Sequence, residues 1–130
     1  RKITSAGVVT TLAGSSAPGS DNGTGTDASF RYPIDVAVDA SGNVYVVGAN
    51  NVIRKITSAG VVTTFAGSGI LNDPRGVALD GDGNLYVANW GNHTINKITS
   101  KPCSVYCIIT IFYICSYVKP YKKSLIILPP

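Results

Sequence analysis

Eleven residues, RKITSAGVVTT, open the chain and come back unchanged at residues 54–64. A chain of 130 residues that repeats itself verbatim is confined to architectures of stacked copies, in which each unit hides a face it cannot bury alone. A second echo is longer and has a different spacing. Pro33, Asp39, Gly42, Asn43, Tyr45 and Val46 return 41 positions later as Pro74, Asp80, Gly83, Asn84, Tyr86 and Val87. The unit is therefore about 41 residues long. The opening echo stands at 53 because 19 positions separate Gly14 from Pro33 but only 7 separate Gly67 from Pro74, an insertion of twelve. The inserted segment lies within SSAPGSDNGTGTDASFRY. Its Gly, Ser, Thr and Asp predict a surface loop.

Within one unit the apolar residues come in short runs separated by turn chemistry, which predicts strands rather than helices. Four strands are expected: IDVAVD at 34–39, NVYVVG at 43–48, VIRKIT at 52–57 and VVTTFAG at 61–67. DASGN at 39–43 and DGDGN at 80–84 separate the first two strands in successive copies. In each, the Asp can bond its own turn backbone and the Gly supplies a positive φ, so each reads as a hairpin. Ser58, Ala59 and Gly60 do the same between the third and fourth strands.

The motifs now stand in order: F-x-x-P at Phe30 and Pro33, an apolar V-A-V-D at 36–39, then D-x-x-G-N-V-Y-V ending at Val46, then I-R-K-I at 53–56. The next copy has Pro74, G-V-A-L-D at 76–80, G-N-L-Y-V-A at 83–88, G-N-H at 91–93 and I-N-K-I at 95–98. This pattern resembles the NHL repeat of β-propellers, and the DNGTGTDASF stretch resembles the loop that leads into such a blade. The middle copy is one residue shorter in its second hairpin, lacks G-N-H, and has Asp35 where Gly76 stands. The resemblance implies an all-β fold, an incomplete β-propeller of four-stranded antiparallel blades. Residues 1–100 would be the propeller fragment, with a partial blade at 1–14, a full one at 30–67 and a partial one at 74–100. A propeller needs roughly 4 to 8 blades. The chain is thus expected to belong to a larger propeller, to assemble with other copies of itself, or to stand as an open arc. With no Met anywhere, Arg1 is not expected to be where translation began.

Residues 1–100 carry seven basic and seven acidic side chains, and the net charge of +4 comes from Lys101, Lys119, Lys122 and Lys123. The repeats are neutral, so the basic balance is no sign of a nucleic-acid face on them. Cys103, Cys107 and Cys115 also follow residue 100. Three cysteines with no His or acid beside them support neither a disulfide framework nor a zinc site. From residue 101 the vocabulary changes: no Gly and no acid, in mid-repeat. Residues 102–118 are 17 positions without a charge, followed by Lys119, Lys122 and Lys123. Three readings stay open for 101–130: a membrane segment with a basic flank, a strand replacing the expected fourth one, or a translation artefact.

Few residues invite chemistry. Asp80, Asp82 and Asn84 resemble the start of a calcium loop, but its twelfth position is Gly91, which favours a turn. His93 is the one histidine, with no nucleophile in sight. Asn89, Trp90, Asn92 and His93 make the ligand-binding candidate, because an exposed Trp in a loop at a blade's end suits sugars or peptides. No catalytic residue, metal ligand or cofactor is expected. The resemblance implies a non-catalytic binding or scaffold module whose rim loops meet a protein or carbohydrate-like ligand, in an extracellular or cell-surface setting. Two alternatives stand beside it. One is a lyase or hydrolase holding a metal on the propeller channel, for which Asp35 is the off-pattern acid. The other is a membrane-anchored sensor, which rests on the 102–118 tail.

Overall fold

In a computed structural model of the chain, which describes residues 1–67 and 69–99, the alternating runs become strands and the described residues contain no α-helix. β1 (Lys2–Ile3) and β2 (Val9–Thr10) form a hairpin. β4 (Pro33–Val38), β5 (Val44–Gly48), β6 (Ile53–Ile56) and β7 (Val61–Ala66) form an antiparallel meander. β8 (Pro74–Leu79), β9 (Leu85–Asn89) and β10 (Thr94–Ile98) form a three-stranded antiparallel sheet. A further strand, β3 (Gly23–Thr24), comes from the inserted segment and pairs with the outer edge of β7, giving the middle sheet the order β3-β7-β6-β5-β4. The all-β expectation is met, and the middle sheet carries a fifth strand. Among the described residues the sheets do not close on one another. The readings placed on 101–130 lie outside the described residues, among which no helix is long and apolar enough to cross a membrane.

The hairpins form for the reason their sequences suggest. Asp39 accepts the backbone N–H groups of Ser41 and Asn43 through Oδ1, at 2.9 and 2.8 Å. Its Oδ2 accepts from the Asn43 amide at 2.8 Å and the Tyr45 hydroxyl at 3.3 Å. Asp80 repeats the set with Asp82, Asn84 and Tyr86. Gly42 and Gly83 hold φ of 80° and 81°, a region that penalises a Cβ. Both carboxylates are spoken for by the turn, so DGDGN is a hairpin.

Alternation then decides which residues meet. In the middle sheet Ala37, Tyr45 and Lys55 stand in one cross-strand row, and Val36, Val46 and Arg54 in the next row on the opposite face. The first face meets the third sheet. Tyr45, Val47 and Ile53 are buried with Val77, Leu85 and Val87, and Leu71 of the linker seals the seam. Each such side chain taken fully out of water contributes about 1.5–3 kcal/mol. Tyr45 also meets Phe65 edge to face, with centroids 5.1 Å apart. Two hydrogen bonds fix the seam: the N–H of Val77 donates to Asp35 Oδ2 at 2.8 Å, and the N–H of Asp73 to Asn51 Oδ1 at 2.9 Å.

The second face is covered differently. Val46, Ile56 and Val62 pack against Ala28 and Phe30 of the insertion and against Leu12 and Ala13. The insertion is held by Arg54, which is 1% exposed. Its two terminal amino groups donate to the Ser29 carbonyl at 3.0 Å, the Asp21 carbonyl at 2.8 Å and Asn22 Oδ1 at 3.0 Å. The guanidinium carbon sits 5.3 Å from the Phe30 centroid. Burial pushes the Arg54 guanidinium below its ordinary value while the Asp21 charge pulls the other way, and an arginine stays charged throughout. The segment expected to be a surface loop is thus a cover, whose Ala28 and Ser29 are buried.

Two outcomes follow from this packing. Arg54→Ala strands two backbone carbonyls and the Asn22 amide oxygen and opens a void beneath the insertion, and is expected to lower unfolding free energy by about 2–4 kcal/mol; urea denaturation with an unchanged slope checks this. The side-chain amide and N–H of Asn84 hold the Asp80 carboxyl down at about 2. A depressed folded value stabilises above the unfolded carboxylate range near 3.9 and is lost as pH falls toward 2. The melting-temperature gap between wild type and Asp80→Ala should therefore be full above about pH 5 and shrink on acidification.

Candidate functional site

The residues singled out for ligand contact gather at one end of the third sheet, where β8 begins and β9 turns into β10. β9 runs into a 3-10 turn, Trp90–Asn92, and His93 closes it in the left-handed region at φ 55°, its N–H donating to the Trp90 carbonyl at 3.1 Å. The turn is laced to the incoming linker. The Gly91 N–H donates to the Asn72 carbonyl at 2.9 Å, and the Asn72 amide donates back to the Gly91 carbonyl at 3.3 Å. A Cβ on Gly91 would lie 2.7 Å from the Asn72 amide, so this approach requires glycine.

Asn89 and its neighbours part company here. Asn89 continues the inward row of Leu85 and Val87 and is 1% exposed. Its Oδ1 accepts the Asn72 N–H at 2.7 Å, and its amide nitrogen donates to the Ile70 carbonyl at 3.1 Å and Asn96 Oδ1 at 2.9 Å. It is the anchor beneath the rim. Trp90, Asn92 and His93 are the exposed members, and the Asn92 amide donates to the Ile70 carbonyl at 3.2 Å.

Trp90 is 56% exposed, and the Arg75 guanidinium lies over it, 3.8 Å from the ring centroid. Arg75 in turn donates from Nε and Nη2 to Asp73 Oδ2 at 3.2 and 2.9 Å. A register shift between Pro74 and Gly76 places Arg75 outside the regular ladder, free to reach the indole. Stacking of this kind contributes about 0.5–1 kcal/mol at an exposed site. Its larger effect is to hold the indole in one orientation on an electrically balanced base. Asp73 and Arg75 escaped the sequence reading, although the opposite charges flanking Pro74 at a strand start are a signal for such a pair.

Asp35, the acid on which the channel-metal alternative rests, uses Oδ1 to accept the Val36 N–H at 2.9 Å and Oδ2 to accept that of Val77 at 2.8 Å. It works as a clamp between sheets. Among the described residues no three His, Cys, Asp or Glu side chains converge.

Comparison with known proteins places this region. No curated protein matches the chain, while residues 71–98 match the family model of the NHL repeat. That span begins at Leu71, which seals the seam, and ends at Ile98, the last residue of β10. The three-stranded sheet and the rim it carries therefore lie in the segment that is similar to the NHL repeat, the unit from which β-propeller-type modules are built.

Proposed function

We propose that the chain is a non-catalytic binding module that meets a protein or carbohydrate-like ligand through the rim formed by Trp90, Asn92 and His93. The observation that carries this reading is the Trp90 indole, half exposed yet held flat by Arg75. An aromatic face fixed before binding loses little conformational freedom when a sugar ring or a peptide side chain lies on it. Around it stand neutral donors and acceptors, Asn72 and Asn92, and the Asp73 carboxylate balances the Arg75 charge. Such a surface favours a neutral polar ligand with an apolar face over a polyanion.

Trp90 is the single tryptophan of the chain, so its emission reports this rim alone. Peptide and oligosaccharide arrays supply the strongest binder, which is then titrated against the full chain by fluorescence. The expected outcome is a saturable change in emission and a loss of affinity of about tenfold or more in Trp90→Ala, with the circular dichroism of the folded chain retained. Binding that leaves the emission untouched and survives Trp90→Ala would move the site elsewhere.

A further inference from the structure

The two ends of the described chain are the two halves of a contact that the molecule already makes once in its interior. Where the third sheet sits on the second, the second contributes Ala37, Tyr45, Val47 and Ile53. The equivalent positions of the third sheet itself are Ala78, Tyr86, Ala88 and Ile95, on its far face, and Ile95 is 71% exposed. The third sheet contributes Val77, Leu79, Leu85 and Val87 to that seam. Val77 and Leu79 have their counterparts in Val36 and Val38 of β4, and Val36 is 55% exposed.

The contact on the β4 side is already half built. Leu12 and Ala13 stand 53 positions before Phe65 and Ala66, and both pairs pack at the edge of their cores. What this face lacks, among the described residues, is the set of three strands that should lie beside β2. The third sheet is three strands, and among the described residues β10 pairs only with β9. In the middle sheet the strand that pairs with the equivalent of β10 is Val61–Ala66, whose opening VVTT is repeated in residues 8–11. The register transfers directly, setting Asn96, Lys97 and Ile98 opposite Thr11, Thr10 and Val9.

We propose that the chain assembles head to tail with a second copy of itself. The three-stranded sheet of one copy docks on the β4 face of the next and takes β2 of that copy as its fourth strand. β1 gives way. It pairs with β2 at only Lys2↔Thr10 and Ile3↔Val9, and residues 1–11 are all exposed, so this isolated two-stranded hairpin is marginal in water. The backbone at both edges is shaped for the contact. Asn51, which accepts the Asp73 N–H across the internal seam, has φ 57°, and its counterpart His93 has φ 55°; Asp73 has φ 46°, and its counterpart Tyr32 has φ 43°.

The contact joins two different surfaces, so it propagates until the rotation closes a ring. Each copy supplies two sheets, and rings of this architecture hold roughly 4 to 8, which corresponds to about two to four copies. Light scattering on the eluting full chain should give a mass two to four times 13.5 kDa. Val36→Glu and Ile95→Glu each alter one half of the contact at an exposed site, so circular dichroism should be unchanged while each variant alone falls to 13.5 kDa. An equimolar mixture of the two retains one intact pair of surfaces and should form a dimer and nothing larger. A wild type that runs as a monomer overturns the proposal. So do variants that keep the wild-type mass, as assembly through residues 101–130 would produce, and a mixture that stays monomeric.

Discussion

A β-sheet whose strands are apolar on both faces has to be covered on both, and that requirement organises this protein. β5, with Val44, Tyr45, Val46 and Val47, has apolar residues on successive positions instead of the alternation of a half-exposed strand. One face of it is closed by the third sheet through Val77, Leu85 and Val87. The other is covered over Val46, Ile56 and Val62 by the insertion and by Leu12 and Ala13, while Val36 and Val38 at its β4 side stay exposed. The third sheet and the strand that runs into Leu12 and Ala13 are chain that repeats elsewhere in other surroundings, so the same sequence is buried at one place and exposed at another. Residues 8–11 and 61–64 are identical, yet Val62 is fully buried while Val9 is exposed.

The two covers are held by different chemistry. The seam with the third sheet is apolar, pinned at its ends by Asp35 and Asn51 accepting backbone N–H groups. The insertion is polar, and a cation holds it. Arg54 offers its amino groups to two carbonyls and an amide oxygen, which lets a Gly-rich segment with little apolar surface of its own stay seated. At the equivalent position of the third sheet stands Asn96, which bonds Asn89 instead, and the linker entering that sheet is twelve residues shorter. The long cover goes with the long cation, and the short linker with a short amide.

The rim is a by-product of the same economy of parts. Asn89 holds the linker from below, Gly91 admits Asn72 beside the turn, and what is left facing outward is the indole with Arg75 over it. The position of Asn89 was legible in principle, since period-two alternation from Leu85 and Val87 carries it inward. Its place beside Trp90 in the sequence pointed the other way. The Arg75 stack depends on a register shift in β8, which no local pattern announces.

The sequence alone determined the repeat, the all-β class, the positions of the four strands of the middle unit to within a residue or two and the Asp-to-backbone hairpins, because each depends on neighbours a few positions apart; the short strand β3 in the insertion was not among them. Only the tertiary structure decided the rest. Arg54 is buried by partners 25 to 33 positions away, and Asp35 bonds an N–H 42 positions away. In neither case does a residue's own neighbourhood say what will lie opposite it. The identical eleven residues make the same point: their local preference is one and the same, and what differs is the sheet against which each copy is laid.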